Sequence, residues 1–417
     1  MKTASQRESL YVRLLAAIQF SHIVDFVVLM PLGPTLMEVL GISPVQFASL
    51  VSSYNFSAGV AGFLFATVAD KFDRKTMLMS CLGGFVVGTI MCGLAPNFHY
   101  LLAARILTGI FGGILNALVF TIATDLVPPK RRGNAMGLIM ASFSIASVLG
   151  VPIGLTIADT LSWHYTFFFI AFFTLFIYVA AYFIFPKMPA REITESPLET
   201  LQRFGELLTK GRYFSSYLLI FIVAMSMFML IPFLSPYAVK NIGIAATDLK
   251  YMYLIGGAFT IVSARLIGQF TDKMGALKLY IILALVSILP VYAYTHTGRL
   301  SFTLYMILST IFMMIISGRM IPCMTLISMV PSENERGSFM SLTNSIRSVG
   351  SASATFLAGL MISEGAGGEL IGFGNVGLLS IALMIMTIVI IMKVDRKRSE
   401  HLSFESDGVD GSFSLGK

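Results

Sequence analysis

Ala66 to Lys75 reads ATVADKFDRK, a charged loop between two long apolar runs, and it decides the fold because it occurs again. Gly268 to Lys278 reads GQFTDKMGALK, with Asp272 and Lys273 in register with Asp70 and Lys71. Other landmarks keep the same step. Pro31 returns as Pro232 and Arg132-Gly133 as Arg336-Gly337, so the spacing stays between 201 and 204 residues. A step that constant means two copies of one unit in parallel order.

The material between the loops is membrane material. The chain is 56% hydrophobic and 12% charged, with a mean hydropathy of +0.82, which excludes a soluble domain of 417 residues. Apolar runs long enough to span a bilayer begin near residues 12, 46, 75, 98, 133, 163, 214, 247, 276, 300, 336 and 370. Twelve runs and one repeat divide the chain into a tail (1–11), a six-helix bundle (12–186), a linker (187–213), a second six-helix bundle (214–395) and a polar tail (396–417). The fold class expected is an all-α membrane protein of two parallel-repeat six-helix bundles. The last tail is rich in Ser, Gly and Asp and reads as disordered. In the linker, Ser196-Pro197-Leu198-Glu199 is a capping box with proline at the first helical position. Leu198, Leu201, Phe204 and Leu208 follow at helical spacing, the pattern of an amphipathic helix on the inner surface.

The net charge of +7 invites a nucleic-acid reading, but the placement of the 29 lysines and arginines answers otherwise. Most fall in the tails and in loops on one side. Lys240, Lys250 and Arg299 fall on the other. That bias puts both termini in the cytoplasm and leaves no nucleic-acid patch to explain. Cys81, Cys92 and Cys323 all lie in apolar runs, so no disulfide framework or metal-ligand spacing emerges. The first run carries His22 and Asp25 and no small-residue cleavage site, and reads as a helix rather than a cleaved signal. No Walker loop, metal-ligand cluster or nucleophilic triad is visible. The expectation is a non-enzyme without cofactor or metal, driven by an ion gradient.

With those residues in view, the repeated loop resembles that of the major facilitator superfamily of transporters. Its members carry Gly-x-x-x-Asp-Arg/Lys-x-Gly-Arg-Arg/Lys between the second and third helices. Asp70, Lys71, Arg74 and Lys75 fill the charged positions, whereas Ala66 and Asp73 stand where glycine is usual. The second copy keeps Gly268 and Gly275 but has Ala276 and Leu277 for the basic pair. The resemblance implies an inner latch in which Arg74 pairs with Asp125 and Asp70 caps the start of helix 11, with Lys75 and Asp272 at the same gate. VLGVPIG on helix 5, with Gly150, Pro152 and Gly154, resembles the antiporter motif of the bacterial drug and sugar efflux branch and implies a hinge. The DKFDRK form also resembles the Spinster transporters, which pair a first-helix acid with a fourth-helix arginine.

Charges inside apolar runs mark the candidate site. His22 and Asp25 share one face of helix 1. Asp25 lies twelve residues past Arg13, about 18 Å along the axis and therefore near the bilayer midplane. An aspartate there costs roughly 2.5–3.5 kcal/mol, which calls for a polar partner or a water-filled cavity. Arg105 on helix 4 is the one base equally deep in that half. It precedes Gly109, Gly112 and Gly113, whose spacing permits close helix approach. The resemblance links that arginine to proton coupling, so Asp25, Arg105 and His22 are the coupling candidates; a permanent structural ion pair is the competing reading.

Arg265, Arg319 and Arg347 stand in the second half without an acid in any run there, and by the repeat step their positions match Phe63, roughly Asn116, and Phe143. Cations of that kind in a cavity attract anions, which suggests a substrate-binding role, while Arg265 can equally snorkel to the surface. Met225, Met227, Met229, Phe228 and Phe233 form either an adaptable binding wall or ordinary packing. Trp163 and Tyr165 mark the outer interface.

The function expected is a monomeric proton-coupled antiporter of a multi-pass bacterial inner membrane. It exports a small anionic, zwitterionic or amphiphilic solute by rocking two bundles about a midplane site. An uptake symporter of organic anions is the alternative. A signalling receptor is disfavoured by the short central and carboxyl segments.

Overall fold

The computed structural model describes residues 4–67, 71–188, 197–332 and 335–412. Asp70 and Ser196 lie outside the described residues. Twelve long helices follow one another. The first six are α1 (Ala4–Val28), α2 (Pro44–Ala66), α3 (Arg74–Gly93), α4 (Phe98–Leu126), α5 (Arg132–Thr160) and α6 (Trp163–Ile184). The second six are α7 (Gly211–Ile242), α8 (Ala246–Met274), α9 (Ala276–His296), α10 (Phe302–Ser328), α11 (Arg336–Met361) and α12 (Phe373–Ser412). Among the described residues, ten are long and apolar enough to cross a membrane. The exceptions, α2 and α11, have 23 and 26 residues and are more polar because they pack on each other at the seam between the halves.

Side-chain caps start several of the helices. Ser43 and Gln46 exchange hydrogen bonds in a reciprocal cap, Ser43 N to Gln46 Oε1 at 2.9 Å and Gln46 N to Ser43 Oγ at 3.3 Å, with Pro44 at the first helical position. Asn97 and Ser301 cap α4 and α10. Asp73, where the resemblance leads one to look for glycine, is instead the cap of α3: it accepts from Thr76 N at 2.7 Å and from Met188 N at 3.1 Å. Burial works to raise the Asp73 pKa, but the hydrogen bonds from Thr76, Met188 and Lys75 outweigh it and hold the carboxyl below its ordinary value.

The repeat is visible in where helices break. α1 ends at Val28, turns through Pro31 and resumes as Gly33–Val39, while α7 breaks after Phe228 at the turn Ile231–Phe233 around Pro232. Proline withholds a backbone donor and forces the break in both copies. Helix α5 absorbs its proline differently. A π turn at Ala146–Gly150 precedes Pro152, and a Cβ at Gly150 or Gly154 would stand 2.3 Å from Val24 Cγ2 or 2.7 Å from Val28 Cγ2, so α1 lies directly on this segment. The same π turn carries Val148 against Gly257 of α8, in the other half.

Glycine sets the distance between helices elsewhere as well. A Cβ at Gly113 of α4 would stand 2.3 Å from the Ala58 carbonyl oxygen of α2, and one at Gly359 of α11 would stand 2.4 Å from Ala48 Cβ. At the face opposite the termini, Asn241 makes two hydrogen bonds to the Leu370 backbone, 3.0 and 2.9 Å, and so ties α7 to a short hairpin, Ser363–Glu364 with Leu370–Ile371.

Several expectations change. α1 begins at Ala4, inside the expected tail 1–11, and α12 continues as helix to Ser412, into the stretch whose composition reads as disordered. The linker helix spans Pro197–Thr209, but its buried residues are Phe204 and Leu207; Leu201 and Leu208 are exposed, because the contact is a narrow one in which Phe204 meets Phe63. Trp163 is buried, stacked on His164 at 3.8 Å, and only Tyr165 is exposed as an interfacial aromatic would be. Met227, Met229 and Phe233 are core residues, leaving Met225 and Phe228 half-buried.

Gly113→Ala pushes a methyl into backbone that has no rotamer with which to yield, and is expected to cost about 1–3 kcal/mol, read as a lower melting temperature of the purified protein. Asp73→Ala is expected to cost about 1 kcal/mol at neutral pH. Because the folded pKa is depressed, that stabilisation is complete above the ordinary carboxylate value and disappears as pH falls through the folded one. Melting curves of wild type and variant therefore converge in acid.

Candidate functional site

Asp25 sits in the last turn of α1 before its break, and Arg105 one third of the way along α4; neither has any exposed surface. Arg105 Nη1 donates to Asp25 Oδ2 at 2.7 Å and more weakly to the Asp25 carbonyl oxygen at 3.4 Å. Thr89 of α3 donates to the other carboxylate oxygen at 3.4 Å. Three helices thus meet on one carboxylate. Arg105 Nε and Nη2 have no hydrogen-bond partner; the guanidinium instead lies over the Tyr54 ring of α2, 4.6 Å from its centre.

Tyr54 extends the site toward the other half. Its hydroxyl donates to the His22 carbonyl oxygen at 3.5 Å, and its ring stacks on Phe26 at 5.1 Å and 24°. Phe26 in turn meets Phe228 of α7 at 6.3 Å, where that helix breaks. Glycine makes the room: a Cβ at Gly112 would stand 2.3 Å from the Tyr54 hydroxyl, and one at Gly109 would stand 2.6 Å from the Tyr54 carbonyl oxygen. His22 contributes its carbonyl to this cluster, whereas its buried ring Nε2 makes no hydrogen bond.

The three second-half arginines do not share one environment. Arg319 is fully buried with one long hydrogen bond, Nη2 to Ser226 Oγ at 3.5 Å. Arg347 is half-buried. It lies on the α11 face opposite Leu342 and Val349, which line an apolar lateral groove of about 550 Å³ together with Phe63, Phe221 and Leu208. Arg265 is exposed among the exposed Ile261, Val262 and Leu266, the surroundings of a snorkelling cation rather than of an enclosed ligand site.

At the termini-bearing end, buried Arg74 pairs with Asp125, Nε to Oδ2 at 2.6 Å. Both belong to the first half, so this pair joins α3 to α4 and does not itself cross the seam. Lys75 donates to the Phe185 carbonyl oxygen at 2.6 Å and Arg74 N to the Met188 carbonyl at 3.0 Å, so the start of α3 clamps the chain leaving α6. Asp272 is exposed and lines a groove of about 490 Å³ with Lys278, Thr325 and Asp395. A network that the sequence reading did not single out closes the second half. Lys210 and Tyr213 both donate to Glu335, which also accepts from Ser332 at 3.3 Å, and Arg212 donates to the Val330 carbonyl oxygen at 2.8 Å. The bonds from Lys210 and Tyr213 outweigh burial and hold the Glu335 pKa below the usual carboxylate range. Tyr54 and Phe26 were equally unmarked; the available signal was the glycine pair at Gly109 and Gly112, which needs a large neighbour.

Comparison with known proteins agrees with this arrangement. The family model for the Major Facilitator Superfamily matches residues 15–355 and 216–413. "Multidrug resistance protein 3" of Bacillus subtilis is 35% identical over 123 residues, 30% of this chain and 24% of that protein. The uncharacterized MFS-type transporter YwfA of the same organism is 33% identical over 34% of each chain, so these matches span about a quarter to a third of the relatives' length. YceJ, another uncharacterized MFS-type transporter of that organism, is 23% identical over 81% of this chain and 85% of its own. Among solved structures, a bacterial homologue of the human lysosomal transporter Spinster, inward-facing and occupied, superposes with a TM-score of 0.74 at 17% identity over 93% of this chain and 97% of its own. A POT family transporter with bound 5-aminolevulinic acid gives 0.74 at 15% identity over 93% and 96%. With both halves matched, the chain belongs to the Major Facilitator Superfamily of membrane transporters.

Proposed function

We propose that the protein is a proton-coupled antiporter that exports a small organic solute by alternating access, with Asp25 as the proton carrier. The observation that carries this reading is the fully enclosed Asp25–Arg105 pair at a helix break beside the other half. A carboxylate in that setting is ionised only while its arginine is in place, so gaining a proton and losing the pair are one event. Entering from the outer side, a proton neutralises Asp25. Arg105 then has no counter-charge, and its hold on the Tyr54 ring changes with it. Tyr54, Phe26 and Phe228 are in continuous contact and offer the shift a mechanical route to α7. The π turn of α5, packed on α1 and α8 together, is the joint where both halves feel it. Export rather than uptake is supported by the likeness to a multidrug resistance protein and by the Gly150-Pro152-Gly154 segment. The latch of this scheme places Asp70, Arg74, Lys75, Asp125 and Asp272 at the inner gate.

Uptake of organic anions with protons is the second reading, favoured by Arg347 and Arg319 in a half with no buried acid among the described residues. Direction separates the two. In everted vesicles carrying an inside-acid gradient, an exported solute collapses the gradient as it is taken in, visible as recovery of a quenched acridine dye across a panel of organic anions, zwitterions and lipophilic cations. Asp25→Asn is expected to abolish that recovery while the protein remains folded. Intact solute-driven recovery in this variant would remove Asp25 from the mechanism. Arg105→Ala leaves a buried carboxylate alone and is expected to cost about 3–5 kcal/mol, seen as a large fall in melting temperature.

Tyr54 supplies a finer test. Tyr54→Phe keeps the ring under Arg105 and is expected to retain coupling with little change. Tyr54→Leu removes it, and is expected to slow solute-driven proton movement at least tenfold and to shift its pH optimum. Equal behaviour of the two variants would assign the ring to packing alone.

A further inference from the structure

The second half encloses a cation without a counter-charge. Arg319 stands at the break of α10, between Phe302–Gly318 and Met320–Ser328, and has no exposed surface. Its one hydrogen bond, to Ser226 Oγ at 3.5 Å, is at the long limit, and Nε and Nη1 have no partner. The surroundings are polar and equally closed. Ser226, Ser380, Tyr280, Thr387 and Cys323 all have zero exposure; Ser380 donates to the Ser226 carbonyl at 2.6 Å and Tyr280 donates to Thr387 Oγ1 at 2.7 Å. Among the residues of this half whose burial is described, the acids Asp248, Asp272, Glu335, Glu364 and Glu369 sit in loops or at helix ends, and Asp395 at the end of the apolar part of α12, Phe373–Arg396.

The repeat says what is missing. Asp25 lies six residues before Pro31 and Ser226 six residues before Pro232, each in the last turn before its helix breaks. In the first half the buried arginine meets a carboxylate at that place; in the second half Arg319 reaches the same place and meets a serine hydroxyl. A buried guanidinium is tolerated when an anion completes it, and its planar fork fits a carboxylate with two parallel hydrogen bonds.

We propose that Arg319 and Ser226 form an anion site, in which one negative charge from outside the chain takes the place that the Asp25 carboxylate occupies in the first half. The charge is either the carboxylate of a transported solute or a chloride ion. The solute arm rests on the transport reading above; the site itself does not, since it uses no group of the Asp25–Arg105 pair.

The test is a thermal melt of the full-length purified protein in a bulky sulfonate buffer, titrated at constant ionic strength with chloride, acetate or longer monocarboxylates. A saturable rise in melting temperature is expected in wild type and in Asp25→Asn, which separates this site from the coupling proposal. Arg319→Gln is expected to lose the rise. Ser226→Asp supplies the charge from within, and is expected to melt above anion-free wild type and to ignore added anions. A response to chloride alone identifies an inorganic co-ion, and one to carboxylates identifies the solute class. Absence of any saturable response in wild type, or its persistence in Arg319→Gln or Ser226→Asp, overturns the proposal. Arg319→Gln keeps the question answerable if the aspartate variant fails to fold.

Discussion

Enclosing an aspartate and an arginine together in apolar surroundings is the constraint to which the first half is fitted. Water is excluded from both side chains, so their 2.7 Å contact must be supplied and held by the helices themselves. That requirement accounts for details that otherwise look unrelated. Gly109 and Gly112 draw α2 in until the Tyr54 ring reaches the guanidinium. Thr89 brings α3 to the carboxylate. Gly150 and Gly154 let α5 close over Val24 and Val28, on either side of Asp25, and the π turn makes that approach compatible with Pro152. Four helices converge on the stretch of α1 that carries this ion pair.

The two halves share a backbone plan and differ in charge. Both break at equivalent prolines, and both present the last turn before the break to the interior. Their interiors nevertheless diverge: a neutral pair in one, an isolated cation in the other. At the equivalent place before the break one half has Asp25 and the other Ser226, and the buried arginines that reach them, Arg105 and Arg319, come from different positions of the repeat.

Much of this was legible in the sequence because charge is rare in membrane helices. The loop repeat fixed the parallel halves, and Asp25 and Arg105 stood out as the one acid and one base deep in their half. The contact of Arg74 with Asp125 followed from resemblance rather than from spacing. Other features were illegible for physical reasons. An aromatic in an apolar run carries no signal of its own, so Tyr54 and Phe26 passed unnoticed among 34 phenylalanines and 15 tyrosines. Trp163 looked interfacial by type, but a stacked His164 drew it inward. The three second-half arginines were equivalent as letters. Only burial separates the enclosed Arg319 from the exposed Arg265, and side-chain length lets either environment accept the same residue.

The polarity of α2 and α11 carries a consequence for how the chain is made. Both are less apolar than the other ten, and they lie on each other across the seam with Gly59 and Gly359 at the contact. During synthesis α2 emerges long before α11 exists. The neighbour it packs on within its own half is α4, through Gly113 and the Tyr54 cluster. When α11 arrives, it finds a half-buried polar stripe already waiting and joins as the last large piece of the interface. The contact between α2 and α11 can therefore form only after most of the second half has been made.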